Sequence, residues 1–294
     1  MKRIAVIVIG SNSTKLLAAD ACAALSNTSR GRAETRLFLG MSQNGRFSEE
    51  AMQYTVDAVY DLAKKAQSEN AELTGIYATS ASRDAKNTDE LSRMLKEKTG
   101  FPLTVLSGEQ EATYSFLGAS QGARCGVIDI GGGSTEVVLG ESESIHHAQS
   151  LQLGASRLFK AQPIHSVDDI PRALQLAKEK VHSLPAQLLK HEGFDHFYLI
   201  GGTCTTLAAL AGVSAEGFEV TWPSVHDTLY QIASIPREQR AEIPGMPATR
   251  VDILPTGLAI LLTLMDELGI ASATVTKRVN ADGLLHEYVH KKFA

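Results

Sequence analysis

Two stretches of this 294-residue chain repeat one pattern: an apolar run, a tight Gly/Ser turn, a threonine, a charged residue and a second apolar run. The first is Ile4-Ala-Val-Ile-Val-Ile-Gly-Ser-Asn-Ser-Thr-Lys-Leu16 and the second is Gly126-Val-Ile-Asp-Ile-Gly-Gly-Gly-Ser-Thr-Glu-Val-Val138. Glycine lets a backbone approach a ligand closely, and successive N–H groups in such a turn form a concavity suited to an anion. Gly10, Ser11, Asn12 and Ser13 in the first copy, and Gly131, Gly132, Gly133 and Ser134 in the second, are therefore candidate phosphate contacts, with Lys15 adding positive charge. Ordinary hairpins also use Gly, Ser and Asn, but the repetition favours phosphate. A third turn, Gly201-Gly202-Thr203, follows the apolar run Phe197-Tyr-Leu-Ile200 and opens an Ala/Leu-rich segment. The N–H groups and dipole of a helix starting there favour an anion as well.

One position separates the two copies chemically: Asp129 stands two places before Gly131, and Val8 holds the corresponding place before Gly10. A carboxylate at the end of a strand buried on both faces needs a partner. Mg2+, which binds through one or two carboxylates together with water and phosphate oxygens, supplies one. Glu136 is the second candidate metal contact, with an exposed strand residue as the alternative. Arg83 lies among small residues in ATSASRDAKN, where its planar fork can reach and grip phosphate. A surface ion pair with Asp84 or Asp89 is the alternative. Glu109 and Glu111 fall in the first turn of a helix opened by Ser107-Gly-Glu-Gln110, a place where glutamate is common for dipole reasons alone. His286 and His290 have the i, i+4 spacing of a zinc pair, but a solvated C-terminal helix face is the favoured reading.

These groups need elements to hold them. Apolar runs of strand length occur at 4–9, 103–106, 125–130, 135–139 and 197–200. Helical patterns open at Ser48, Asn87, Ser107, Ser166 and Ser224, the fourth reaching about His191 with a break near Pro185. Strands alternating with helices indicate α/β layers. No linker separates domains, so the joint is inferred from the repeat, whose second copy begins near residue 120. Two similar lobes facing each other across a cleft would bring both turns together.

Bulk composition excludes some classes of function. The chain is 44% hydrophobic and 21% charged with a net charge of -5, and its pI is near 6.0. That balance argues against nucleic acid, which is met by a basic excess. Cys22, Cys125 and Cys204 are widely spaced and odd in number, which suggests reduced thiols in a cytoplasmic protein. Lys2-Arg3 and the apolar run after them read as a first buried strand rather than a signal peptide, because SNSTK cuts the run short. Gly257 to Met265 is too short to span a bilayer, which takes about 20 residues, and reads as a buried helix.

Taken together these stretches resemble the exopolyphosphatase and guanosine pentaphosphate phosphohydrolase family (Ppx/GppA), in its short two-domain form. IGSNSTKL resembles the first phosphate loop, ATSASRDAKN the arginine loop and SGEQEATYSFLG the catalytic-glutamate helix. VIDIGGGSTEVV resembles the second phosphate loop, SLQLGASRL the strand after it and LIGGTCTTLAAL the third glycine turn. The resemblance implies an α/β fold of two ribonuclease-H-like lobes of the actin, sugar kinase and heat-shock chaperone ATPase superfamily. The lobes would be residues 1–119, with 283–294 packing back on them, and residues 120–282.

The resemblance further implies Mg2+-dependent release of terminal phosphate from inorganic polyphosphate or guanosine pentaphosphate, with Glu111 as general base and Asp129 on the metal side. Ser11, Asn12, Ser13, Arg83 and Gly131 to Ser134 would hold the phosphoryl chain. The expected partner is that substrate, with neither nucleic acid nor membrane, and a homodimer is left open. Val8 stands where relatives carry Asp, Lys15 where they carry Arg, and VTKRVNADGLL departs from the family's C-terminal segment. Those departures motivate a second reading, a catalytically weakened protein that binds polyphosphate or guanosine polyphosphate as a sensor or regulator.

Overall fold

The computed structural model describes residues 2–21 and 25–293, so Cys22 lies outside the described residues. The chain divides into two compact units, residues 1–118 with 280–294 and residues 119–279.

Unit 1 is built on a five-stranded mixed sheet. Its strands are β1 (Lys2–Ile9), β2 (Thr14–Ala21), β3 (Ser26–Ala33), β4 (Glu72–Ala78) and β5 (Leu103–Val105), in the order β3-β2-β1-β4-β5. The first three run antiparallel as a meander, and β4 and β5 join parallel to β1. β1 is apolar on both faces because both are covered, and Ile4 to Ile9 are all buried. Helix α1 (Glu49–Ser68) starts where the Ser48 side chain accepts the N–H of Ala51, and it buries Met52, Val56, Val59 and Leu62 at helical spacing. These pack with Ile7, Ile9, Leu16, Leu91 and Leu95 in one core. Helices α2 (Ser80–Asp84), α3 (Thr88–Thr99) and α4 (Gly108–Ser120) follow. Asn87 is the N-cap residue of α3, but its side chain makes no capping bond: its amide instead accepts the Phe47 N–H at 2.8 Å and donates to the Phe47 carbonyl at 3.1 Å. α3 ends at Gly100 in the left-handed conformation.

Unit 2 repeats the plan with one strand more. Its strands are β6 (Gly122–Ile130), β7 (Thr135–Ser142), β8 (Ser144–Leu151), β9 (Phe197–Ile200), β10 (Glu219–Thr221) and β11 (Ser272–Val275), in the order β10-β11-β9-β6-β7-β8. β6, β7 and β8 form the antiparallel meander, and β9 and β11 join in parallel. Helices α5 (Ala155–Ala161), α6 (Ile170–Val181), α7 (Ala186–Lys190), α8 (Gly202–Leu210), α9 (Trp222–Ser234) and α10 (Leu254–Leu268) surround the sheet. α10 is buried from Leu254 through Met265, as its uninterrupted apolar sequence requires. α9 begins two residues before the expected Ser224: Thr221 is its N-cap, and Ser224 closes the capping box from the third helical position. Both sheets have the ribonuclease-H-like arrangement.

The last helix, α11 (Asn280–Phe293), belongs to unit 1 and packs on β1 and β2. Arg30 on β3 anchors it with a bidentate pair to Asp282 at 3.0 and 2.6 Å. Among the described residues no helix is long and apolar enough to cross a membrane.

Candidate active site

The two glycine turns have the same internal bond: Gly10 N donates to the Ser13 carbonyl at 3.0 Å, and Gly131 N to the Ser134 carbonyl at 3.0 Å. In each unit the segment after the meander fastens the turn from outside. In unit 1, Arg36 N and Phe38 N donate to the carbonyls of Asn12 and Ser11 at 2.8 and 2.9 Å. In unit 2, Ala155 N and Ser156 N donate to the carbonyls of Gly131 and Gly132 at 3.0 and 2.8 Å, and Arg157 Nε donates to the Gly133 carbonyl at 2.6 Å. With the carbonyls tied back, the N–H groups of Ser11, Asn12, Gly132 and Gly133 donate to no other backbone group among the described residues. Such preset donors suit an anion. Ser11, Asn12, Ser13 and Ser134 are buried, and Lys15 is half-buried.

At the mouth of the second turn Asp129 and Glu136 face each other across β6 and β7. Glu136 is 1% exposed, so its alternative as an exposed strand residue does not hold; Oε1 accepts the Ser150 hydroxyl at 2.7 Å. Asp129 is 8% exposed and lies against the third turn. Gly201 there has φ of 101°, and a Cβ on it would stand 2.4 Å from the Ile130 carbonyl oxygen and 3.2 Å from Asp129 Oδ1. Only glycine fits both that conformation and that approach. Gly202 likewise leaves room for the Arg250 guanidinium, and Thr203 is buried beside them. The fully buried Cys204 thiol is pushed up to about 12 by burial and by the Asp129 charge, with Arg250 acting in the opposite sense. Two buried carboxylates with hard oxygen donors, beside a turn whose backbone amides suit phosphate, fit Mg2+. Asp129 and Glu136 are the residues that would hold it.

In unit 1 the turn 10–13, the Arg83 helix and the Glu111 helix meet at the carboxyl ends of the parallel strands. Thr79 N donates to the Ile9 carbonyl at 3.2 Å, and Leu106 N to the Ala78 carbonyl at 2.9 Å. That end of an open α/β sheet is where ligands bind. The Ser107–Gln110 capping box starts α4, with Gln110 N to Ser107 Oγ at 3.1 Å and Ser107 N to Gln110 Oε1 at 2.9 Å. It fixes the helix turn that carries Glu111. Glu111 is buried, whereas Glu109 on the same turn is exposed. Arg83 turns inward rather than toward Asp84 or Asp89: its Nη1 donates to Glu111 Oε2 at 2.7 Å and to the Leu106 carbonyl at 3.0 Å. The other terminal nitrogen, Nη2, is buried without a hydrogen-bond partner. That nitrogen is a donor in reserve.

Arg157 and Arg250 escaped sequence reasoning as site residues. Arg157 lies inside the SLQLGASRL stretch that carried the resemblance, so a signal existed. Arg250 sits in a short 3-10 turn between Pro247 and the buried α10, and only folding brings it to Gly202.

The profile of the Ppx/GppA phosphatase family matches residues 17–292. A relative named exopolyphosphatase 2, from Mycobacterium tuberculosis, is 31% identical over 318 residues, covering 97% of this chain and 98% of the relative. Among solved structures, the Ppx/GppA family member of Aquifex aeolicus has a TM-score of 0.82 at 25% identity, covering 100% of this chain and 99% of that one. An exopolyphosphatase from Cytophaga hutchinsonii, 23% identical, shares the fold with a TM-score of 0.85, covering 99% and 98% of the two chains. The chain belongs to the Ppx/GppA phosphatase family.

Proposed function

We propose that this protein is a Mg2+-dependent phosphohydrolase that releases terminal phosphate from inorganic polyphosphate or guanosine pentaphosphate. The observation that carries the reading is Glu111, a buried carboxylate held by Arg83 at the sheet end that also presents the glycine turn. A carboxylate there accepts a proton from water as the water oxygen attacks the terminal phosphorus and the anhydride P–O bond breaks. In unit 1 the backbone donors of Ser11 and Asn12 and the charged Arg83 Nη2 take phosphoryl oxygens, and in unit 2 the backbone donors of Gly132 and Gly133 offer the same kind of contact. Asp129 and Glu136 would hold Mg2+, which would neutralise phosphoryl charge there.

A second reading, a polyphosphate- or guanosine polyphosphate-binding sensor, is favoured by Val8, an apolar residue buried where the other turn has its metal-side carboxylate. Phosphate release from polyphosphate and from guanosine pentaphosphate, with and without Mg2+, separates the two. The hydrolase releases phosphate from at least one of them only with Mg2+, and the sensor binds both without turnover.

A further inference from the structure

The last helix carries a group of side chains that the phosphate chemistry leaves unused. Its segment His286-Glu-Tyr-Val-His290 reads H-E-x-x-H, the spacing that sets two imidazoles on one helix face for Zn2+ and a glutamate beside them to activate water. So short a pattern arises readily by chance, and the geometry has to decide. All five residues lie within α11, and side chains four apart on a helix are neighbours. The His286 and His290 rings are 4.2 Å apart between centroids and tilted by 43°, and a ring nitrogen of one lies within 4.8 Å of a ring nitrogen of the other. Zn–N bonds of about 2.0–2.1 Å put two nitrogens of a tetrahedral site about 3.4 Å apart. His290 is exposed and His286 half-buried, so a small turn of the outer ring closes the pair onto one ion.

The helix under the two rings is already fixed. Leu285 and Val289, which precede them in the chain, are buried at 0% and 4% exposure. Arg30 holds Asp282, and a Cβ on Gly283 would stand 2.1 Å from the Tyr114 carbonyl oxygen, so α11 lies directly against α4. The glutamate of the pattern is engaged on that side: Glu287 Oε2 accepts the Tyr114 hydroxyl at 3.0 Å and the Lys291 ammonium at 3.0 Å. Those bonds commit the carboxylate to α4 and Lys291 rather than to a metal-bound water.

We propose that His286 and His290 form a Zn2+ site on α11 that binds the ion without using it for hydrolysis. Imidazole suits Zn2+ and its neighbours in the first transition row, whereas Mg2+ takes oxygen ligands, so the two sites select different ions. Only the folded helix holds the two rings on one face, and Zn2+ therefore stabilises α11 and, through it, unit 1. The inference is independent of the phosphohydrolase reading.

The test is Zn2+ binding by the intact chain in excess Mg2+, measured by titration calorimetry on wild type, His286→Gln, His290→Gln and Glu287→Gln. Wild type is expected to take one tightly held Zn2+, and Glu287→Gln to bind it equally well. Each histidine variant should bind about tenfold more weakly or worse, at least the loss that follows removal of a ligand's own hydrogen-bond partner. Zn2+ should raise the melting temperature of wild type and of neither histidine variant. Anomalous scattering at the zinc edge from wild-type crystals, which needs no variant to fold, should place an ion between the two rings. Wild-type affinity in both histidine variants, a loss in Glu287→Gln equal to theirs, a thermal shift shared by all, or zinc scattering only elsewhere would overturn the proposal.

Discussion

Arg83 Nη1 lies 2.7 Å from Glu111 Oε2, 28 positions away in the chain, and the two side chains are 16% and 8% exposed. The pair holds the buried glutamate in one orientation and, through the bond to the Leu106 carbonyl, ties the Arg83 helix to the start of α4. An arginine so placed serves two purposes. It keeps a buried carboxylate paired and, on the proposed reading, offers its second terminal nitrogen to an incoming phosphate.

Replacing Arg83 by Ala is therefore expected to act on stability and on binding together. Removing one partner of a mostly buried pair should cost about 2–3 kcal/mol, at the low end for such pairs because Arg83 keeps some solvent contact. KM should rise, and the dependence of KM on salt should become shallower because one charged contact is gone. Arg83→Lys should restore charge without the fork and recover only part of either loss. Thermal melts and salt-series kinetics on the three proteins read this out, and an Arg83→Ala protein unchanged in both would show that the Arg83–Glu111 pair contributes to neither stability nor binding.

The third turn permits a sharper steric test. Gly201→Ala places a methyl group 2.4 Å from the Ile130 carbonyl oxygen in a backbone conformation with φ of 101°. Strain at such a position is about 1–3 kcal/mol before the clash is counted, so a fall in melting temperature of several degrees is expected. Asp129 must shift as well, and Mn2+ affinity should fall with it. A variant with wild-type Mn2+ affinity would show that the third turn does not set the Asp129 position.

Much of this site was legible because its parts are local. Gly10–Ser13 and Gly131–Ser134 announce themselves by turn chemistry, and the Ser107–Gln110 capping box places Glu111 within four residues. The pairing of Arg83 with Glu111 was not legible, because Asp84 and Asp89 lie closer in the chain and nothing local turns the guanidinium inward. The edge strands β3 and β8 were equally silent. β3 reads Ser-Asn-Thr-Ser-Arg-Gly-Arg-Ala and β8 Ser-Ile-His-His-Ala-Gln-Ser-Leu, mostly polar segments with one covered face at most. Edge strands are kept polar to discourage pairing with other chains, which removes the alternation that identifies a strand. Arg250 came to the third turn through the tertiary fold alone.

Away from the site, a charge cluster ties the edge of unit 1 and gives it an acid-sensitive contribution. Arg3 donates to Asp20 at 3.0 Å and to Glu69 at 3.1 Å. Glu69 is held below the usual carboxylate range by the Ser29 hydroxyl and then Arg3, and Asp20 by the Asn27 amide and then Arg3. A carboxylate with a depressed folded-state pKa adds stability above its unfolded value and loses it as pH falls through the folded one. Arg3→Gln should therefore melt below wild type at pH 7, and the gap should close below about pH 4, where both carboxylates take up protons. A gap that persists unchanged at pH 3 would assign the loss to packing.

The central claim is that Glu111 takes the proton from the attacking water. The direct measurement is steady-state phosphate release from polyphosphate and guanosine pentaphosphate in Mg2+ by wild type, Glu111→Gln and Glu109→Gln. Wild type and Glu109→Gln are expected to turn over alike, and Glu111→Gln to lose about 100-fold or more in kcat with KM nearly unchanged. Wild-type turnover by Glu111→Gln, or no phosphate release by any of the three on either substrate, would contradict it.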